Sequence, residues 1–172
     1  LSAAGALLGY LQETQKQLPQ HLHGITVYQI QDYMILDQTT QRNLEIVQTW
    51  MDRSKKHSLL GVMDVTSTAM GARMLRQWAQ YPLLQVEKIT ARLDAVEELK
   101  EREIERAALQ DALRPVQDLE RLNARISLGV ANPRDLLTLQ KSLEMIPGIR
   151  ARMAALGSER LREILARLDP LE

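Results

Sequence analysis

Apolar residues recur at helical spacing through most of this 172-residue chain. Near the start, Ala3, Leu7, Leu8 and Leu11 share one stripe, and Pro19 ends the run. Gly71, Met74, Leu75 and Trp78 fall at i, i+3, i+4 and i+7, which predicts a helix over 68–80 closed by Pro82. Val86, Ile89, Leu93, Val96 and Leu99 line the next helix. Ile104, Ala108, Leu109 and Leu113 line a third before Pro115, and Leu119, Leu122 and Ile126 a fourth that Gly129 caps. The start of the following helix is the clearest in the chain. Asn132 can accept from the backbone as N-cap, Pro133 occupies the first turn without wasting a donor, and Asp135 sits three after the cap. Leu136, Leu139, Leu143 and Ile146 form its stripe, and Pro147-Gly148 marks a kink or break. Ile149, Met153 and Leu156 then resume, and Gly157-Ser158 introduces a short last helix carrying Leu161, Ile164, Leu165 and Leu168.

One region departs from this period. "ITVYQIQDYMIL", residues 25–36, is rich in β-branched and aromatic residues and partly alternates. It predicts extended segments at 25–30 and 33–36, with 43–47 as a possible third. "DRSKKHS", residues 52–58, is polar and patternless, which predicts an exposed loop. There is no repeat of fixed period and no low-complexity segment. The expected fold is mainly α, a multihelical unit spanning 1–172 with a small extended or β patch near 25–47.

Composition supports helices over a sandwich. Hydrophobic residues make up 45% of the chain but aromatics only 3%, with no phenylalanine, so the core must be built from Leu, Ile, Val, Met and Ala. No cysteine occurs, which excludes disulfides and thiolate metal sites and fits a reducing, cytoplasmic setting. No apolar run reaches the roughly 20 residues of a membrane span. "LSAAGALLGYLQETQK" lacks the basic start of a signal peptide. The absence of an initiator methionine and the helical start lead us to expect a piece of something longer, and Leu171-Glu172 could be native or a cloning remnant.

Charge argues against a dedicated nucleic-acid module. Lys and Arg number 22, Asp and Glu also 22. The stretch 150–167 holds five arginines, but Glu159, Glu163 and Asp169 interleave with or follow them, so opposite signs cancel the far field. A solvated helix surface is favoured there over a partner or DNA patch.

The stretch "TSTAMGARMLRQW", residues 66–78, has the ingredients of a phosphate-binding turn: hydroxyls, a glycine and two arginines. It fails as one. A nucleotide cradle of the Walker type needs two glycines with a following lysine, and here the hydroxyls precede a lone glycine. Thr68 is better read as a helix N-cap, with Gly71 on a buried face where another backbone comes close. His21 and His23 diverge at i, i+2, and His57 lies in the polar loop, so no metal set converges. Glu97-Glu98 sits among arginines as a helix-surface pair. No nucleophile elbow or Gly-rich dinucleotide turn is present.

Four blocks carry a resemblance: "LDQTTQRNLEI" (36–46), "MDVTSTAMGARMLRQWAQYPL" (63–83), "RLDAVEEL" (92–99) and "DLERLNARISLGVANPRDLLTLQKSLEMIP" (118–147). In this order they resemble the helical core and lever region, domain III, of MutS-family DNA mismatch-repair proteins. The likeness runs over nearly the whole chain. Two positions depart from the family's habit: Ala69 where proline is common, which bears on local rigidity, and Asn123 where a second leucine is frequent.

The resemblance implies a structural transmission element with no active site or cofactor of its own. In the family this region joins a connector domain to long levers running between a DNA-gripping clamp and an ATPase domain. The clamp, the mismatch-reading domain and the ATPase all lie outside this stretch. The parent protein uses ATP and magnesium and works as a homodimer around mismatched DNA. Partners of the segment would then be the other MutS domains in the same chain. Thr68, Gly71, Arg73, Trp78, Asn132 and Pro133 are the candidate structural residues, with Arg76 a further candidate contact. The alternative from another class is a free-standing helical adaptor that binds a partner protein.

Overall fold

A computed structural model describes residues 2–15 and 32–169. Over these residues the chain is mainly α. The helices are α1 (Ser2–Gln15), α2 (Gln38–Asn43), α3 (Leu59–Met63), α4 (Ala69–Gln80) and α5 (Val86–Glu101). They continue with α6 (Glu103–Leu113), α7 (Leu119–Ser127), α8 (Pro133–Leu143), α9 (Ile146–Met153) and α10 (Glu159–Arg167). Side-chain caps start five of them: Asp37, Ser58, Thr68, Asp118 and Asn132 each accept from a backbone N–H three residues on. Gly129 follows α7 at φ +68°, the left-handed conformation that a residue with a Cβ avoids.

The main pack consists of α5, α6, α9 and α10, with α6 against α9 and α10 against α5. Ala95, Ala112, Val116, Ile149, Met153, Leu156 and Leu161 are its buried centre, closed in by partly buried neighbours such as Met70, Leu109 and Leu165. Each large side chain removed from water there contributes about 1.5–3 kcal/mol. Helices α7 and α8 pair beside this pack, and α3 pairs with α4. Ser142, fully buried on α8, ties the α7–α8 pair to the turn ahead of α7: its hydroxyl accepts from the Gln117 N–H at 3.1 Å and donates to the Thr138 carbonyl at 2.8 Å.

Four sequence expectations need correction or limits. The expected strand at 25–30 lies outside the described residues, as do Pro19, His21 and His23. Residues 34–37 are extended, but β pairing there is a single antiparallel bridge between Tyr33 and Leu83. Residues 43–47 do not form a strand. Asp37 caps α2 immediately before them, and the chain then turns through Glu45 at φ 48°, so the β-branched pair Ile46-Val47 sits in a bend. The loop at 52–58 is exposed only until its last residue. Ser58 is fully buried, close to the Lys55 and Val47 carbonyls and accepting from the Gly61 N–H at 3.1 Å.

The largest correction concerns α5. Its apolar stripe was expected to be core, yet Val86, Leu93 and Val96 are each more than 60% exposed. The helix buries its other side, Ala95 with partly buried Arg92, Glu98 and Leu99, against α6 and α10. Small Ala95 permits close helix approach, and the larger residues are left facing outward.

Candidate functional site

The residues around Gly71 form a cap, not a cradle. Thr68 Oγ1 accepts the Gly71 N–H at 3.0 Å, and the Thr68 carbonyl accepts the Ala72 N–H at 3.0 Å. Those N–H groups are the ones a phosphate would need, so the residues present do not fit a nucleotide. Gly71 also does not face another helix. A Cβ built there would meet Thr68 Oγ1 at 3.1 Å and Thr66 Cβ at 3.6 Å, both in the turn that precedes its own helix. The glycine with a close backbone neighbour is Gly61, where a Cβ would stand 1.9 Å from the Lys55 carbonyl oxygen.

One turn further on, Arg73 reaches across 45 residues of sequence. Its Nη1 and Nη2 donate to the two carboxylate oxygens of Asp118 at 2.7 and 2.8 Å, and Nη2 also donates to Glu120 at 2.5 Å. Asp118 is at the same time the N-cap of α7, accepting from the Arg121 N–H at 3.1 Å. Hydrogen bonds from Arg73 first, and then from the Arg121 backbone, hold its carboxyl down at about 2. Arg73 is raised in return by the same contacts. The α4 helix and the start of α7 are thereby joined through one planar fork. Nothing in the local sequence pairs residue 73 with residue 118, and this partnership escaped sequence reading.

Trp78, placed by its spacing on the same helix face as Gly71, is 39% exposed, and its ring is roofed by the Arg92 guanidinium of α5 at 3.9 Å from the centroid. Arg76 is exposed and, among the described residues, has no hydrogen bond or ion pair. Asn132 and Pro133 lie at the head of α8. Asn132 accepts from the Asp135 N–H at 2.9 Å, Asp135 accepts from the Asn132 N–H at 2.9 Å, and Pro133 occupies the first turn. Asp135 is also reached by Arg125 of α7 at 3.0 Å, which locks the α7–α8 pair.

A second long-range tie was likewise hidden in the sequence. Glu98 of α5 accepts the N–H groups of Gly157 at 2.6 Å and Ser158 at 2.7 Å, capping α10 from outside. These backbone bonds lower its carboxyl pKa, and the positive end of the helix favours the same ionised form. Beside this tie, an apolar groove of about 570 Å³ runs between the helices, walled by Met70, Leu99, Leu109, Leu113, Ile146 and Ile164 among others. Among the described residues no group of three or more His, Cys, Asp or Glu could hold a metal ion, and no helix is long and apolar enough to cross a membrane.

Uncovered apolar faces beside precise polar ties describe one part of a larger packed object, and comparison with known proteins agrees. The MutS domain III family matches residues 39–170. DNA mismatch repair protein MutS of Alkaliphilus metalliredigens is 45% identical over 172 residues, 100% of this chain and 20% of that protein. The MutS protein of Symbiobacterium thermophilum is 47% identical over 171 residues, 99% of this chain and 20% of its own length. That of Pelotomaculum thermopropionicum is 46% identical, again over 100% of this chain and 20% of the relative. The chain thus spans about a fifth of the curated relatives it matches, and it belongs to the MutS family of mismatch-repair proteins as domain III.

Proposed function

We propose that this chain is the structural core and lever segment of a MutS-type mismatch-repair protein, and that it couples rearrangement of the parent's ATPase domain to its grip on mismatched DNA. The observation that carries this reading is the way the helices are joined. Packed bodies, α5–α6–α9–α10 and the α7–α8 pair, are stiff inside and tied by a few polar contacts, Arg73 to Asp118 and Glu98 to the head of α10. Close-packed bodies with discrete ties repack between alternatives more readily than they bend.

The chemistry of the reaction lies elsewhere in the parent. ATP, magnesium, the mismatched duplex and a homodimer partner are engaged by other MutS domains in the same polypeptide, in the cytoplasm. This segment supplies the connection and is not itself a catalyst. The outward stripe of α5 and the apolar groove support packing against those other domains. Relatives about five times longer than this chain disfavour the free-standing adaptor.

The test is a full-length parent carrying Glu98→Gln, which loosens α10 from α5 without touching a nucleotide or DNA. Coupling predicts that basal ATP hydrolysis and DNA affinity persist while stimulation by a mismatch falls. Retention of full mismatch stimulation, with the variant folded, would count against the lever role.

A further inference from the structure

Three polar grooves cut the surface, and their charges differ in kind. The groove along α5 and α10 mixes Lys88, Arg92 and Arg160 with Asp32, Glu87, Glu159 and Glu163. The one between α7 and α8 sets Arg121 and Arg125 against Asp118 and Asp135. Each of these is neutralised by its own walls. The third, about 270 Å³ between α2 and α4, is lined by Arg42, Arg76, Gln38, Gln41, Gln48 and Gln80, with no carboxylate. In a chain of zero net charge, two arginines converge there on a surface without a counter-ion.

The nearest acids in sequence are engaged elsewhere. Asp37 accepts the Thr40 N–H at 2.6 Å, and Glu45 accepts the Trp50 N–H at 2.6 Å. Among the described residues Arg76 has no partner, and the recorded contact of Arg42 is with the Trp50 ring, 4.4 Å from the centroid. That stacking leaves the guanidinium edge free while limiting its rotation. Gln80 donates to Gln41 at 3.0 Å, and Gln41 donates to the Leu36 carbonyl at 2.9 Å, so the two helices that carry the arginines are held in register. The cations are positioned before any ligand arrives, which lowers the entropy cost of binding one.

We infer that this groove is an oxyanion site, and that its occupant is an aspartate or glutamate side chain from a segment of the parent polypeptide outside residues 1–172. The inference rests on the reading of the chain as one part of a longer MutS protein. Two arginines with amide donors suit one or two carboxylates. They are too few for a duplex contact, which neutralises several phosphates along a basic face. The other four-fifths of the polypeptide, judged from the relatives, is the nearest source of such a group.

The experiment places a photo-crosslinking amino acid at Gln48 in the full-length parent and maps the adduct by peptide mass spectrometry. The expected adduct lies in the same polypeptide beyond residues 1–172, next to an acidic residue. Arg76→Glu should then lower the melting temperature, reversal of the mapped acid to arginine should do the same, and the two together should regain a large part of the loss. Adducts confined to DNA, to a partner subunit or to a segment without an acid, no adduct at all, or additive losses in the double variant would each overturn the proposal. Mismatch-stimulated ATP hydrolysis, measured on the same preparations, separates the two ideas. A parent that stays coupled while the groove fails these tests loses only the site.

Discussion

Arg73 on α4 and Asp118 at the head of α7 face each other as a two-pronged ion pair, with Nη–Oδ distances of 2.7 and 2.8 Å, 45 residues apart in sequence. Because Asp118 also caps α7, the fork does two things at once: it joins two helices and fixes where the second begins.

That double role sets a pH dependence. The Asp118 carboxyl is held at about 2, below its ordinary 3.8, chiefly by Arg73. A depressed acid contributes stability that is complete above its unfolded value and is lost as pH falls toward the folded value. Stability should therefore drop between those two values. Asp118→Asn keeps a capable N-cap but removes the charge, so its deficit relative to the parent should be clear at about pH 6 and shrink by about pH 3. Urea midpoints at both pH values, at low and high salt, provide the check, and salt should weaken this exposed pair. A deficit that does not change with pH would place the role of Asp118 in the cap alone.

The two glycines should behave in opposite ways. At Gly61 a methyl would collide with the Lys55 carbonyl oxygen, a backbone atom that cannot swing aside. Gly61→Ala should cost about 1–3 kcal/mol through overpacking. At Gly71 the methyl meets the Thr68 hydroxyl at 3.1 Å. Alanine gains roughly 1 kcal/mol of helix propensity there but presses on the cap, worth a similar amount, so the net change should lie near zero. Chemical denaturation followed by circular dichroism ranks the pair, and a Gly61→Ala protein as stable as the parent refutes the geometry.

Asn132→Ala removes the acceptor for the Asp135 N–H and half of a reciprocal cap. The expected loss is about 0.5–2 kcal/mol. Amide hydrogen exchange should show it first in the opening turn of α8. Uniform exchange across α8 in the variant and parent would show that the cap contributes little.

These cases show what could be read in advance. The head of α8 was legible because cap, proline and acid are all within four residues of one another. Helices α2 and α3 were not, since they run six and five residues and their starts depend on Asp37 and Ser58 in segments that read as extended or loop. The tight glycine was misplaced for a similar reason. Gly71 sits in an obvious helix, whereas the crowding of Gly61 depends on how the loop at Lys55 folds back. Arg73 could be singled out as a candidate, but its partner could not, because a contact across 45 residues leaves no periodic trace.

The isolated chain should not tell a mismatched duplex from a matched one. Discrimination needs groups that reach base edges or exploit local deformability. Any binding by this neutral chain should be weak and should fade as salt rises. A gel-shift titration that finds a salt-resistant preference for a mismatch would overturn this expectation.

The outward stripe of α5 makes the sharpest distinction between segment and whole. Leu93 is 60% exposed and Val96 61%, on the face turned away from α6 and α10. An apolar row at helical spacing is a packing surface, and in this chain nothing among the described residues covers it. Leu93→Gln in the 172-residue chain should therefore change stability by no more than about 0.5 kcal/mol, as at other exposed positions. In the full-length parent the same change should cost more, on the order of 2 kcal/mol or above, because there the side chain would be removed from a packed contact. Paired urea titrations of segment and parent, each with and without the substitution, give the comparison directly. Equal and small effects in both would mean that the stripe stays in water even in the whole protein, and the packing of α5 against another MutS domain would have to be abandoned.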